Sequence, residues 1–232
     1  MNENKKVISA NFKCKHCHKL FTLENRYLKH KCKQMIRIEE FQSPQGQLAF
    51  TYYCLWMRCQ KRLAPQASAF MSSKSFVTFM NFAKFAQSVS LVKVDKFIKL
   101  MVDKDYPPFM WTSDEIYSLY LNYMQHNTSP KEHFAISLET LMSISEKNDI
   151  DVADVFELLQ PTEIIRLMRI RKLSPWLLLF SKKFKKMLVE RASPEQQQII
   201  DNLIQPNIWV DLLAKYSNEK EQIKTYIATI GL

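Results

Sequence analysis

The sequence predicts an all-α protein: a multi-helix body preceded by a short module rich in cysteine and histidine. Three observations lead there. The 232 residues include only two glycines, Gly46 and Gly231, where average usage of roughly 7% would supply about sixteen. Turn-rich β architectures and phosphate-cradling loops need residues that accept positive φ, so both are disfavoured, and nucleotide binding of the P-loop or dinucleotide kind is set aside. Apolar residues recur at helical spacing through most of the chain. Helix-start signatures, Ser or Thr followed by Pro or an acid, recur between those runs.

The N-terminal module reads FKCKHCHKLFTLENRYLKHKCK. Cys14 and Cys17 are two residues apart, a spacing that lets one tight turn present both thiolates to one ion. His30 and Cys32 follow, with Phe21 and Tyr27 placed to form a miniature core. This is the pattern of a C2H2-like finger with a Cys3His (C2HC) ligand set, predicting structural Zn2+ on Cys14, Cys17, His30 and Cys32. Metal binding would supply the folding free energy that so short a segment lacks. Familiar fingers leave three to five residues between their last two ligands, whereas here there is one. Positions i and i+2 lie about 200° apart on a helix, so both cannot face one metal while the helix continues. A helix over Leu23–Lys29 is therefore expected to unwind at His30, with Cys32 reaching in from a loop. His16 and His18 flank Cys17 as alternative ligands or surface residues. Four protein ligands leave no open position, so a catalytic metal is not expected.

The net charge of +10 is concentrated in two blocks. Residues 1–38 carry ten Lys/Arg against Glu3 and Glu24, and residues 163–191 carry nine against Glu163 and Glu190. Such blocks on a near-neutral background are the footprint of a polyanion partner, bound through counterion release. In the module, Lys5, Lys6, Lys13, Lys15, Lys19, Lys29, Lys31 and Lys33 suit phosphates, and Asn25 and Arg26 suit base edges. One finger spans about three base pairs, so the expected DNA binding is weakly sequence-specific. In the body, Arg166, Arg169, Arg171 and Lys172 end one helix, where positive charge is favourable in itself. Lys182, Lys183, Lys185 and Lys186 form a second candidate patch.

The expected domains are a basic arm with finger over 1–38 and a helical body over 39–232, with a subdivision placed near 128 or near 160. The segment Lys33–Gly46 is read as a basic linker. Beyond it, Tyr52, Leu55, Trp56 and Cys59 share one helix side within an apolar run from Leu48 to Leu63. Phe76, Phe79, Phe82 and Phe85 form an aromatic stripe, and Phe97, Leu100 and Met101 belong to the next helix. Helix starts are expected at Thr112, Ser129, Ser174, Ser193 and Asn218, with the last helix ending at Gly231. The phenylalanines read as core, Trp56, Trp111, Trp176 and Trp209 as anchors between helices, and Cys54 and Cys59 as buried thiols. No nucleophile-base-acid constellation can be assembled. His126 and His133 lack a nearby Cys or Ser-Asp set, and Asp103, Asp105, Asp149 and Asp151 sit at helix ends.

The layout resembles uncharacterised zinc-finger proteins of large T-even-type tailed bacteriophages. The parts that carry the likeness are the finger from Cys14 to Cys32, F-x2-F-x2-F from Phe79 to Phe85 and W-T-x-D-x-I-Y from Trp111 to Tyr117. It continues through Ser174-Pro175-Trp176 to Gly231-Leu232, nearly the whole chain, and implies no assigned activity. From Phe79 through Met124 the body is also similar to phage helicase-loading proteins, which are small, basic and helical, bind forked DNA and recruit a helicase, but lack the finger. The expectation is a non-enzymatic nucleic-acid-binding accessory protein whose body docks a replication, recombination or transcription partner. A protein–protein adaptor and a metal-dependent nuclease resting on Asp149 or Asp151 are the alternatives. With no transmembrane run or signal-peptide pattern, and thiols suited to a reducing compartment, a cytoplasmic location is expected, the host's if the chain is a phage's, with no membrane and no small-molecule substrate.

Overall fold

Helices dominate, as expected, and the one sheet among the described residues is a two-stranded hairpin. The computed structural model describes residues 12–232, the side chains of 206–210 excepted. Lys5, Lys6 and the Trp209 side chain therefore lie outside the described residues. The chain forms two units: Met1–Ser88 with Lys93–Ser113, and Val89–Val92 with Asp114–Leu232.

In the first unit, β1 (Phe12–Lys13) pairs antiparallel with β2 (Leu20–Phe21), Phe12 opposite Phe21. The helices α1 (Glu24–Leu28), α2 (Lys33–Gln42), α3 (Pro44–Cys59), α4 (Ala67–Ser72), α5 (Phe76–Ser88) and α6 (Val94–Asp103) follow. The segment expected to be a linker, Lys33–Gly46, is instead α2 and the first turn of α3. Its Arg37 donates to the Met71 carbonyl at 2.8 Å and stacks 5.2 Å from the Phe76 ring centroid. Ser43 breaks α2 from α3, its Oγ accepting from Gly46 N at 3.0 Å, with Pro44 opening the new helix. A Cβ on Gly46 would stand 2.5 Å from Phe41 Cα and 2.7 Å from Phe41 O. Glycine is needed there because the backbones of the two helices meet.

The core of this unit is aromatic. Phe76, Phe79 and Phe82 are fully buried, while Phe85, at the end of the stripe, is half-buried. Trp111 packs edge-on to Phe79, Phe82 and Phe97 at 5.7, 5.2 and 6.0 Å. Its indole N–H, which burial would otherwise strand, donates to the Tyr106 carbonyl at 2.9 Å. The α3 helix stops at Cys59 and leaves Leu63 exposed, so the apolar run is shorter than its spacing suggests. Cys54 and Cys59 are half-buried rather than buried, and burial raises both thiols above their ordinary range.

The second unit holds α7 (Asp114–Asn127), α8 (Pro130–Asn148), α9 (Val155–Leu158), α10 (Pro161–Arg169), α11 (Pro175–Phe180), α12 (Lys182–Arg191), α13 (Pro194–Ile204), α14 (Pro206–Lys215) and α15 (Ser217–Thr229). Ser129, Ser174 and Ser193 cap helix N-termini through their hydroxyls, Ser193 in a full capping box with Gln196. Asn218 does not: α15 opens one residue earlier with no side-chain cap. Likewise α7 begins at Asp114, beyond Thr112. Gly231, at φ 74, follows the last helix. Leu141, Phe156, Ile164, Leu177 and Ile200 are central to the apolar cluster. Trp176 is buried in it, whereas Trp56 in the first unit is half-buried. No described helix is long and apolar enough to cross a membrane.

Candidate metal centre

The metal ligands are delivered by a hairpin and a helix end. Cys14 follows β1 directly; its N–H donates to the Lys19 carbonyl at 2.9 Å and its carbonyl accepts from His18 N at 2.9 Å. His18 takes a left-handed conformation at φ 59, turning the chain back into β2 after Cys17. The α1 helix ends at Leu28, and His30 N donates to the Tyr27 carbonyl at 3.0 Å in the closing turn. Cys32 is the N-cap of α2. The H-x-C spacing is thus met by a break in the helix, and the fourth ligand stands on an element fastened to the rest of the unit.

Behind the ligands sits a small aromatic cluster. Phe12 stacks on Tyr27 at 5.8 Å, Phe21 meets Tyr27 edge-on at 6.0 Å, and Phe21 packs on the His30 ring at 4.8 Å. Phe21 and Tyr27 are announced by their spacing. Phe12 is not, because its partner is fixed by the strand pairing rather than by the chain.

One ligand atom from each of Cys14, Cys17, His30 and Cys32 lies within 4.8 Å of all the others. Cys17 Sγ stands 3.3 Å from His30 Nε2. Metal–sulfur bonds of about 2.3 Å in a tetrahedron separate donor atoms by roughly 3.5–3.8 Å, so the cluster is of the size to hold one metal ion. None of the cysteines is in a disulfide. Backbone N–H groups of Cys17 and His16 aim at the Cys14 sulfur and hold its thiol down to about 6, which favours the thiolate that a metal requires. At Cys17 the Lys19 N–H acts in the same direction, but burial and the neighbouring Cys14 outweigh it and the thiol is raised. His16 and His18 are exposed and outside the cluster.

Among the described residues no second group of this kind occurs. Asp151 caps the turn after α8, its Oδ1 accepting from Ala153 N at 2.8 Å. Asp149 ends α8 in a left-handed conformation at φ 52.

The basic residues divide by environment. Lys13, Lys15, Lys19, Lys29, Lys31, Lys33, Arg26 and Asn25 are all exposed. None of these cations joins an ion pair among the described residues, and Lys19 rests 5.5 Å from the Phe21 centroid. In the second unit Arg169, Lys182, Lys185 and Lys186 are exposed and Lys172 is half-buried. Burial pulls Lys172 below the usual lysine range, helped by Arg166. Lys183 is tied to Asp154 at 2.7 Å, and Arg171 donates to Gln125 Oε1 at 2.6 Å. Their neighbours lie 29 and 46 residues away in sequence, which a local reading of basic clusters does not register.

Comparison with protein-family models, with curated proteins and with solved structures finds no match for this chain.

Proposed function

We propose that Cys14, Cys17, His30 and Cys32 hold one structural Zn2+ and that the finger binds nucleic-acid phosphates as part of a non-enzymatic accessory protein. Three cysteine sulfurs and one imidazole within 4.8 Å of one another suit the ligand preferences of zinc, and a site filled by four protein ligands leaves none for substrate. The observation that carries the nucleic-acid reading is the finger's surface: six exposed lysines and Arg26 surround the metal site without a carboxylate partner among the described residues. A phosphate backbone would compensate that charge and release counterions. With α1 only five residues long, base contact would fall to Asn25 and Arg26, so the binding would be weakly sequence-specific. Arg169, Lys182, Lys185 and Lys186 would make phosphate contacts of their own in the second unit, and the helical body, residues 39–232, would dock a replication, recombination or transcription protein. The similarity of the stretch from Phe79 through Met124 to phage helicase-loading proteins supports a role in phage DNA metabolism in the host cytoplasm.

A second reading, a protein adaptor, has one observation in its favour. Leu20, Leu23 and Leu28 of the finger are 60, 55 and 69% exposed, which suits an apolar protein surface better than phosphate.

Native mass spectrometry and fluorescence anisotropy on single-stranded, duplex and forked DNA test the proposal. One zinc per chain and salt-sensitive DNA binding, both lost in Cys14→Ser, are expected. A zinc-loaded chain that binds none of the DNAs at low salt would overturn the nucleic-acid reading and favour the adaptor.

A further inference from the structure

The second unit contains a cavity of about 170 Å3. Its wall is mixed in a particular way. Trp176, Leu203, Leu212 and Tyr216 supply apolar and aromatic surface, and Arg171 and Gln125 supply polar groups beside His126, Thr128, His133, Ser174 and Gln205. Among the described residues neither Asp nor Glu lines it.

Arg171 is the unusual member. It lies between α10 and α11 in a left-handed conformation, φ 62, which a β-carbon disfavours. Its Nη2 donates to the neutral amide oxygen of Gln125 at 2.6 Å, and its Nε is shielded from solvent with no hydrogen-bond partner. Gln125 is itself held, its Nε2 donating to Gln205 Oε1 at 3.2 Å. A guanidinium drawn partly out of water against an amide, with no carboxylate in the wall, bears a desolvation cost that an anion would offset. Burial accordingly lowers its pKa. A structural arginine would ordinarily meet an acid or several carbonyls.

We propose that this cavity binds a small aromatic carboxylate, with the carboxylate on the Arg171 guanidinium and the ring between Trp176, Leu203, Leu212 and Tyr216. The size agrees: an apolar cavity of about 150 Å3 takes up a benzene ring, so the space here suits one ring with a short acid arm. Arg171 is the only lysine or arginine among the described lining residues, so its single charge matches a monoanionic acid better than a doubly charged phosphate. The acid can be a free small molecule or the C-terminal carboxylate of a peptide ending in an aromatic residue. This inference stands independently of the finger and its partner.

Calorimetry and thermal shift on the full chain test it with phenylacetate, its neutral isostere phenylacetamide, and the peptide Gly-Gly-Phe with a free or amidated C-terminus. At least one free acid is expected to bind and to raise the melting temperature, its amide binding about 10- to 100-fold more weakly, as expected when a charge-assisted hydrogen bond is lost. Which acid binds identifies the source. Arg171→Met keeps the side-chain length on the same backbone; it is expected to weaken acid binding by a similar factor while leaving the unliganded melting temperature equal or higher. Leu212→Trp, which fills the cavity and leaves Arg171 in place, is expected to abolish binding, and keeps the test open if the first variant fails to fold. Absence of binding by both acids, binding of acid and amide alike, or undiminished acid binding in either folded variant overturns the proposal.

Discussion

Gly46→Ala sets two physical effects against each other. Gly46 is the third residue of α3, and helix propensity alone favours alanine there by about 1 kcal/mol. The structure predicts the opposite sign. The new Cβ would lie 2.5 Å from Phe41 Cα and 2.7 Å from Phe41 O, with the Glu40 carbonyl oxygen closer still. All three are backbone atoms, so no side chain can swing aside, and α2 and α3 must part by about 1 Å, an overpacking cost of about 3 kcal/mol. That movement would also loosen Phe41 from Phe50 and Phe70, now at 5.7 and 6.4 Å between ring centroids. The net loss is about 2 kcal/mol, a fall of about 4–8 °C in the unfolding midpoint. Differential scanning calorimetry of the zinc-loaded protein measures it, with metal content as a control that the finger is intact. A midpoint equal to or above wild type would refute the close approach of the two helices.

Two further outcomes follow from the packing and the metal site. Phe82→Ala, which removes a fully buried ring stacked on Phe97 at 5.3 Å, is expected to cost about 3–5 kcal/mol in urea unfolding; a loss below about 1 kcal/mol would mean that the aromatic stripe is not the core of the first unit. Chelation of the metal, followed by circular dichroism and limited proteolysis, is expected to open the finger to cleavage near Leu20–Leu28 and leave the second unit protected, because residues 12–32 have only Phe12, Phe21 and Tyr27 as an aromatic core. Unchanged protection of the finger would show that it folds without metal.

What could be read from the sequence was what local spacing governs. The C-x2-C pair, the single residue between His30 and Cys32, and the consequent end of α1 before His30 all follow from helix geometry. The stripe through Phe79 and Phe82 and the caps at Ser129, Ser174 and Ser193 are similarly local. Packing between residues far apart in the chain was not legible. The stretch after Cys32 lacks a capping signature at its start, so α2 is not announced; tertiary ties such as Arg37 on Met71 and Phe76 hold it. Gly46 closes the expected linker in sequence, yet its role is to let two helices touch. Lys183 and Arg171 belong to basic runs on paper, but Asp154 and Gln125 meet them in the fold. The cavity beside Arg171 is assembled from α7, α8, the α10–α11 turn and residues up to Tyr216, and no single segment carries its signature.

The central claim, that the metal-clamped finger presents a phosphate-binding surface, is tested most directly by the salt dependence of duplex DNA binding in a variant that keeps the metal. Lys19, Lys29 and Lys31 are exposed and lie outside the ligand set, so replacing all three by glutamine should preserve zinc content. Each phosphate that the protein no longer neutralises lowers the slope of log K against log salt by about 0.9. The account predicts weaker binding at every salt concentration and a slope smaller by about 2–3, with zinc stoichiometry unchanged. Binding with the wild-type slope and affinity in the triple variant would contradict it.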